Sequence, residues 1–160
     1  MVNRHSLLLP LVASLLGSSA CESWRFFPLF SSQSPDRQSE IRVLRNRNGR
    51  SSEYQFRVEV STSSGPMVIY RHERESYIGL VEAHWSARGT QVGLLVCNMF
   101  AQPLMVGYDF QNGSTINGTD FRPALELQIV QRYSVPKGRD PIGWACSAEG
   151  NAAYASSRVK

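Results

Sequence analysis

The chain has 160 residues, of which 42% are hydrophobic and 19% are charged, and its formal net charge is +4. This length and balance are typical of one globular domain, and they exclude a disordered chain, a collagen-like fibre and a polytopic membrane protein. The charge is far below that of a basic nucleic-acid-binding domain, so we expect no nucleic acid among the partners.

The first 20 residues have the pattern of a secretory signal peptide. Basic residues at positions 4–5 precede an apolar run over 6–17, and small residues occupy 18–20. The run is too short to span a bilayer as a helix, and Pro10 within it argues against a core helix. We therefore predict that residues 1–20 are a signal peptide and that the protein is exported.

Cys21 directly follows Ser18, Ser19 and Ala20. This stretch resembles the lipobox of bacterial lipoproteins, and the resemblance implies that Cys21 is diacylated and becomes the N-terminus of the mature chain. The protein would then be lipid-anchored in the bacterial cell envelope, on the periplasmic or the outer surface, with the membrane as a partner. Ser18 stands where a lipobox usually has Leu, and ordinary signal peptidase accepts Ser18 and Ala20, so a freely secreted protein is the alternative.

Residues 21–39 are predicted to be an anchor-proximal segment followed by a flexible linker. The first part is aromatic and apolar, with Trp24, Phe26, Phe27, Leu29 and Phe30. These side chains suit either a membrane interface or packing on the domain. The second part, 31–39, is polar and contains a proline, which is typical of a flexible tether.

From about residue 40 onward the pattern predicts a single β-rich domain over 40–160. A half-buried strand is indicated by alternating apolar residues, namely Tyr54, Phe56, Val58 and Val60. Further strands are predicted over 67–71, 77–85, 92–97 and 104–110. The run 92–97 is apolar on both faces, as a central covered strand would be.

The periodicity changes after residue 122. Leu125, Ile129 and Tyr133 are four residues apart, and Val130 lies beside them. They predict a helix over 123–134, with Thr119 or Asp120 as its N-terminal cap. Strands followed by one helix predict an α+β fold, a mainly antiparallel β-sheet in meander order with one helix packed on it.

Cys97 and Cys146 remain once Cys21 is set aside, an even number in an exported chain. We predict that they form a disulfide, with their Cα atoms about 4.4–6.8 Å apart. Two separate buried thiols are the alternative, because free cysteine is a common core residue. Neither cysteine has the C-x-x-C spacing of a zinc or redox site.

A group of arginines follows the linker, namely Arg42, Arg45, Arg47 and Arg50. Such a group is able to contact an anionic partner, for example lipid head groups or an acidic polymer. The alternative is a solvated hairpin tip, because residues 46–49 have the composition of a turn between two strands.

Two stretches share a pattern with a known repeat. A Trp-Ser-x-x-Gly turn lies in 84–92, and a Tyr-Asp-x-x-x-Gly hairpin lies in 106–113. Together they resemble one blade of the WD-repeat-like β-propellers of bacterial envelope proteins. The match departs at residues 87–88, where such blades usually read Pro-Asp, and the chain is too short for about four to eight blades. The resemblance implies a shared hairpin, in which Gly89 permits the turn and Trp85 fills a core position, and at most an interaction scaffold.

No motif of a zinc hydrolase, a serine hydrolase, a P-loop or a dinucleotide site occurs in the sequence. We therefore name no catalytic residue, no metal ligand and no cofactor. The residues that a metal or acid–base set would use, if the fold brought them together, are His72, His84, Glu73, Glu75 and Glu82. The alternative places Glu73 and Glu75 in a solvated turn and Glu82 on a strand face.

These observations predict an exported, lipid-anchored cell-envelope protein that acts as a non-enzymatic binding or interaction module. Its partner would be an envelope protein or an anionic surface. Two alternatives remain, an extracytoplasmic hydrolase whose site is assembled from residues distant in sequence, and a freely secreted protein. An enzyme would need a concave pocket with convergent polar groups and perturbed acids or bases.

Overall fold

A computed structural model describes residues 26–46, 56–72, 77–98 and 102–157. Several predictions from the sequence fall outside these ranges. They concern the signal peptide over 1–20, the lipidation site at Cys21, and the side chains of Trp24, Arg47, Arg50, Tyr54, Glu73 and Glu75.

The described strands form two four-stranded antiparallel sheets. Sheet A consists of β1 (Phe26–Gln33), β2 (Glu40–Asn46), β3 (Phe56–Thr62) and β4 (Gly65–His72). Sheet B consists of β5 (Ile78–Trp85), β6 (Gln91–Asn98), β7 (Leu104–Asp109) and β8 (Ser114–Asn117). Neighbouring strands are consecutive along the chain in both sheets, so each sheet is a meander.

The helical part follows sheet B. A short 3-10 turn (Gly118–Phe121) leads into α1 (Arg122–Arg132), and α2 (Pro141–Ala145) and α3 (Ala148–Ser157) follow. The predicted α+β class, with antiparallel strands in meander order and one main helix, is confirmed. None of the helices in the described ranges has the length and apolarity to cross a membrane.

The start of the helical part differs from its predicted cap. Asn117 accepts a hydrogen bond from the backbone N–H of Thr119 at 3.1 Å, and so it caps the 3-10 turn. The residue before α1 is Phe121, whose side chain makes no capping bond. The assignment of the cap to Thr119 or Asp120 is therefore wrong, because the chain enters α1 through a preformed turn and not from an extended segment.

Two hydrophobic cores lie on the two faces of sheet B. The core between the sheets includes Ile41, Val43, Phe56, Val58, Val60, Val81, Val92, Leu94, Val96 and Tyr108. The core between sheet B and the helices includes Leu80, Leu95, Cys97, Leu125, Ile129, Ile142 and Trp144. Because successive residues of a strand point to opposite faces, β6 supplies side chains to both cores. The prediction of a central covered strand over 92–97 is confirmed.

The predicted flexible linker over 31–39 is wrong. Residues 31–33 complete β1, which pairs with β2 along its length, and 34–39 form a tight turn in which Ser34 is only 2% exposed. Polar residues are tolerated here because β1 is an edge strand and because Ser32 accepts a hydrogen bond from the indole N–H of Trp85 at 2.9 Å. The described part of the domain therefore begins at Phe26.

Candidate functional site

Four turns lie together at one end of the two sheets. The β1–β2 and β3–β4 connections, 34–39 and 63–64, leave sheet A at the same end, because alternate connections of a meander share an end. The β5–β6 and β7–β8 connections, 86–90 and 110–113, share an end of sheet B in the same way. The two pairs of connections lie against each other: a Cβ placed on Gly89 would be 3.2 Å from Cβ of Ser34. We call this region the turn end.

Asp36 fixes the first turn. Its carboxylate accepts hydrogen bonds from the hydroxyl of Ser34 and, at 3.1 Å, from the backbone N–H of Gln38. The bond from Ser34, followed by that from Gln38, holds the pKa of Asp36 below its ordinary value. Arg37 adopts a positive φ of 60°, a conformation that this bonded turn imposes on a residue with a side chain.

Asp109 fixes the fourth turn. One carboxylate oxygen accepts the backbone N–H groups of Gln111 at 2.8 Å and Asn112 at 3.0 Å, and the other accepts the side-chain amides of Gln91 and Asn112, both at 2.9 Å. The Gln91 amide, followed by the backbone N–H of Asn112, holds the pKa of Asp109 below its ordinary value. Gly113 closes the turn with a φ of 64°. The Tyr-Asp-x-x-x-Gly pattern therefore encodes a turn that its own aspartate organises.

Hydroxyl groups fix the other two turns. Thr62 donates to the carbonyl of Gly65 at 2.8 Å across the β3–β4 connection. Ser86 accepts the backbone N–H of Gln91 at 3.1 Å across the β5–β6 connection, where Gly89 has a φ of 69°. Each of the four turns is thus held by a side chain, so the turn end is a preorganised surface.

A cleft of about 490 Å³ opens between three of these turns. Its lining consists of Gln38, Ser39, Ser61, Thr62, Ser63, Ser64, Met67, Tyr108, Phe110 and Gly113. These residues, all within the described ranges, include no acid, no base and no cysteine. The hydroxyl groups of Ser39, Ser61 and Ser63 make no hydrogen bond to the described part of the chain, so they remain free to bond a ligand.

Aromatic rings form the apolar part of the cleft. Tyr108 is 2% exposed and belongs to the inter-sheet core, and its ring meets that of Phe110 edge-on, with centroids 4.9 Å apart. Phe110 also stacks on Trp85 at 5.6 Å. Trp85 therefore contacts a residue of the cleft lining, Phe110, without itself belonging to the lining. Its partly buried position against the core is the one that the sequence pattern assigned to it.

The predicted disulfide is present. Cys97 and Cys146 are bonded, and their Cα atoms are 4.7 Å apart. Cys97 lies on the central strand β6, and Cys146 follows the last residue of α2, so the bond ties the helical layer to the middle of sheet B.

The structure does not gather the candidate metal or acid–base residues into one site. His72 stacks on Phe56 with ring centroids 5.0 Å apart, on the inner face of sheet A. Glu82 and His84 lie two residues apart on β5 and so share the face of sheet B that points to the helices. No group of three or more His, Cys, Asp or Glu residues in the described ranges is placed to hold a metal ion.

Glu82 has a different role, which its sequence position did not reveal. It is 2% exposed, and its carboxylate accepts hydrogen bonds from Gln128 at 2.6 Å, Arg132 at 2.8 Å and Tyr133 at 2.9 Å. Burial, followed by the nearby charge of Glu82, raises the pKa of Tyr133 to about 12. The three hydrogen bonds to Glu82 attach the C-terminal end of α1 to sheet B.

The arginine group does not form a solvated hairpin tip as a whole. Arg42 and Arg45 belong to β2 and are half-buried. Arg42 bonds the buried carboxylate of Glu59 at 3.3 Å, and Arg57 bonds the same carboxylate at 2.7 Å. The hairpin-tip interpretation is therefore wrong for Arg42 and Arg45, because the strand continues through both positions.

No known family model, curated protein or solved structure matches the chain. The cleft was not predicted from the sequence, because its lining comes from three connections that are distant along the chain. The only local signals were the turn at 61–66 and the dipeptide Asn112-Gly113, and each marks a turn without indicating which other turns lie beside it.

Proposed function

We propose that the protein is an exported, lipid-anchored envelope module that binds a ligand in the cleft of the turn end. The support for export is the signal-like composition of 1–20 together with the Cys97–Cys146 disulfide, since disulfides persist in oxidising compartments. The support for an anchor is the lipobox-like position of Cys21.

The observation that carries the binding function is the composition of the cleft. Ligand sites combine an apolar or aromatic surface with a few polar groups on a rigid frame, and this cleft has that combination. Its frame is rigid because each adjoining turn is held by a side chain. The lining within the described ranges lacks the ionisable groups that general acid–base or nucleophilic chemistry requires, which favours binding over hydrolysis.

The ligand class follows from the same lining. A charged ligand would lose its hydration without gaining an ionic partner in the cleft. An uncharged ligand that carries hydroxyl groups around an apolar face is complementary to the serine side chains and to the ring of Phe110. Neutral oligosaccharides have this chemistry, and we propose them as the ligand class.

Tryptophan fluorescence offers a direct test, because Trp85 stacks on Phe110, which lines the cleft. The purified protein is titrated with neutral oligosaccharides of glucose and of N-acetylglucosamine, and with a charged oligogalacturonate. We expect saturable changes in emission with neutral chains only. Ser61→Phe fills the cleft and should weaken this binding at least about tenfold, or 1.4 kcal/mol.

Ser156→Phe is the matched control. Ser156 is exposed on α3, so the same change in size there should leave the affinity unaltered. Equal binding by Ser61→Phe and the wild-type protein would remove the cleft as the binding site. A preference for the charged chain would contradict the proposed ligand class.

A further inference from the structure

The two ends of sheet A differ in chemistry. Strand β1 runs from Phe26 to Gln33, and Gln33 leads directly into the turn end. At about 3.3 Å per residue, Phe26 lies roughly 23 Å from Gln33 along the strand. Phe26 therefore marks the end of sheet A opposite to the cleft, which we call the start end.

The start end is close to the proposed anchor. Only residues 22–25 separate Cys21 from Phe26. A fully extended chain covers at most about 3.6 Å per residue, so Phe26 lies within about 18 Å of an acylated Cys21. A long flexible tether over 31–39 would have allowed any orientation. The end of β1 and the tight turn over 34–39 occupy that segment instead, so with an acylated Cys21 the short connection would keep the start end near the bilayer.

Among the described residues, the start end carries several basic and aromatic side chains. Two rows at this end cross all four strands of sheet A, and the pair Phe26–Asn46 lies beyond them. The outer of the two rows contains Phe27, Arg45, Phe56 and His72, and the inner one contains Pro28, Leu44, Arg57 and Arg71. These rows hold three arginines and no carboxylate. Glu59, the nearest acid in the described ladder, lies two rows further along, opposite Arg42, and is already bonded to Arg42 and Arg57.

Two contacts distinguish this group from an ordinary charged surface. The guanidinium carbon of Arg57 lies 4.2 Å from the ring centroid of Phe26, so a cation is fixed beside the first described residue. Arg71 is the direct cross-strand partner of Arg57, and like charges in that position destabilise a sheet. Arg71 is exposed and makes no ion pair with the described residues. An anionic surface would give Arg71 the counter-charge that Glu59 already gives Arg57.

We propose that the start end of sheet A is a docking surface for anionic lipid head groups, so that the anchored protein stands on the membrane with its cleft pointing away. This inference rests on the proposed lipid anchor. Arginine near an anionic membrane contributes about 1 kcal/mol of attraction, which corresponds to about fivefold in partitioning, and aromatic rings such as Phe27 suit the interface.

The test uses the exported chain with Cys21→Ser, so that no acyl chain contributes to binding. Co-sedimentation is measured with vesicles of phosphatidylcholine alone and of phosphatidylcholine mixed with phosphatidylglycerol. We expect salt-sensitive binding to the mixed vesicles only. Arg71→Gln should lower the partition coefficient about fivefold, whereas Arg88→Gln, an equal change at the turn end, should leave it unchanged.

The vesicle measurements test the docking surface, and a separate measurement tests the lipid anchor. Equal binding to both kinds of vesicle, no binding to either, or equal losses from Arg71→Gln and Arg88→Gln would overturn the docking surface. Binding to soluble polyglutamate without binding to vesicles would overturn it in favour of an acidic polymer. Mass spectrometry of the wild-type N-terminus tests the anchor independently. An unmodified Cys21 there overturns the anchor, and the fixed orientation with it.

Discussion

Asn151 completes the hydrogen bonding of Leu80 across the open edge of sheet B. The side-chain oxygen of Asn151 accepts the backbone N–H of Leu80 at 2.7 Å, and its amide group donates to the carbonyl of Ser147 at 2.9 Å. Strand β5 is an edge strand, and exposed edges invite pairing with other chains. One asparagine on α3 therefore occupies a position that a further strand would otherwise take.

Asn151→Ala should destabilise the protein by about 1–3 kcal/mol, because it leaves a buried backbone N–H without an acceptor. The measurement is urea unfolding followed by circular dichroism. Gln131→Ala, at an exposed position of α1, is the control and should change the free energy of unfolding by no more than about 0.5 kcal/mol. Equal stability of the two variants would show that the Asn151 bond contributes nothing.

Gly79 and Asn151 should be energetically coupled. A Cβ at Gly79 would lie 1.7 Å from the side-chain oxygen of Asn151, so Gly79→Ala forces that side chain out of place. Once Asn151 is already alanine, the clash is gone. The double variant should therefore be more stable than the sum of the two single effects, by about 0.5–3 kcal/mol in a double-mutant cycle. Strict additivity in that cycle would refute the contact.

The Cys97–Cys146 disulfide should contribute about 4 kcal/mol to stability on the chain-entropy model, since it closes a loop of 49 residues. Replacing both cysteines with alanine should lower the urea midpoint, and a reductant should lower it in the wild-type protein but not in that variant. Thiol labelling of the unfolded, unreduced protein should detect neither Cys97 nor Cys146. Labelling of both would show that the bond is absent from the mature protein.

Tyr133 should make stability fall at alkaline pH. Its pKa is about 12 in the folded protein and about 10 when unfolded, so the folded state keeps a proton that the unfolded state releases. Its contribution is complete below pH 10 and is lost as the pH rises toward about 12. Tyr133→Phe should flatten the decline over this interval, whereas Tyr77→Phe, at a 53% exposed tyrosine, should preserve it. Identical profiles for the two variants would contradict the assignment to Tyr133.

Asp109 should make stability fall at acid pH. Its pKa is lowered in the folded protein, so its contribution is present above the ordinary value of 3.8 and disappears as the pH falls through the depressed value. Asp109→Asn should be less stable than the wild-type protein at neutral pH, and the difference should shrink in strong acid. Urea unfolding of both proteins at a series of pH values measures this difference in the free energy of unfolding. A difference that is independent of pH would mean that the charge of Asp109 is unimportant.

The sequence predicted those elements whose burial is regular. Phe56, Val58 and Val60 alternate strictly because one face of β3 lies in the core, and the run 92–97 is apolar throughout because both faces of β6 are covered. The end of β1, residues 31–33, was mistaken for part of a linker because its stability comes from pairing with β2 and from Ser32, whose hydroxyl bonds Trp85. A serine in that role is indistinguishable from a solvated one until its partner is known.

The disulfide was predictable from cysteine number and the expected compartment, but the cleft was not. Ser39, Ser61 and Phe110 belong to different strands and connections, and only the packing of sheet A on sheet B brings them together. The role of Glu82 was hidden for the same reason, because its donors lie 46–51 residues away along the chain.

Strand β6 belongs to both hydrophobic cores, and this position links their unfolding. Leu94 packs between the sheets, whereas the next residue, Leu95, packs under the helices. Loss of the helical layer would leave Leu95 and Cys97 facing water on the strand that holds sheet B together, and loss of sheet A would uncover the other side of the same strand. We therefore expect unfolding to be a single cooperative transition, with the amides of β6 exchanging their hydrogens only when the whole molecule opens.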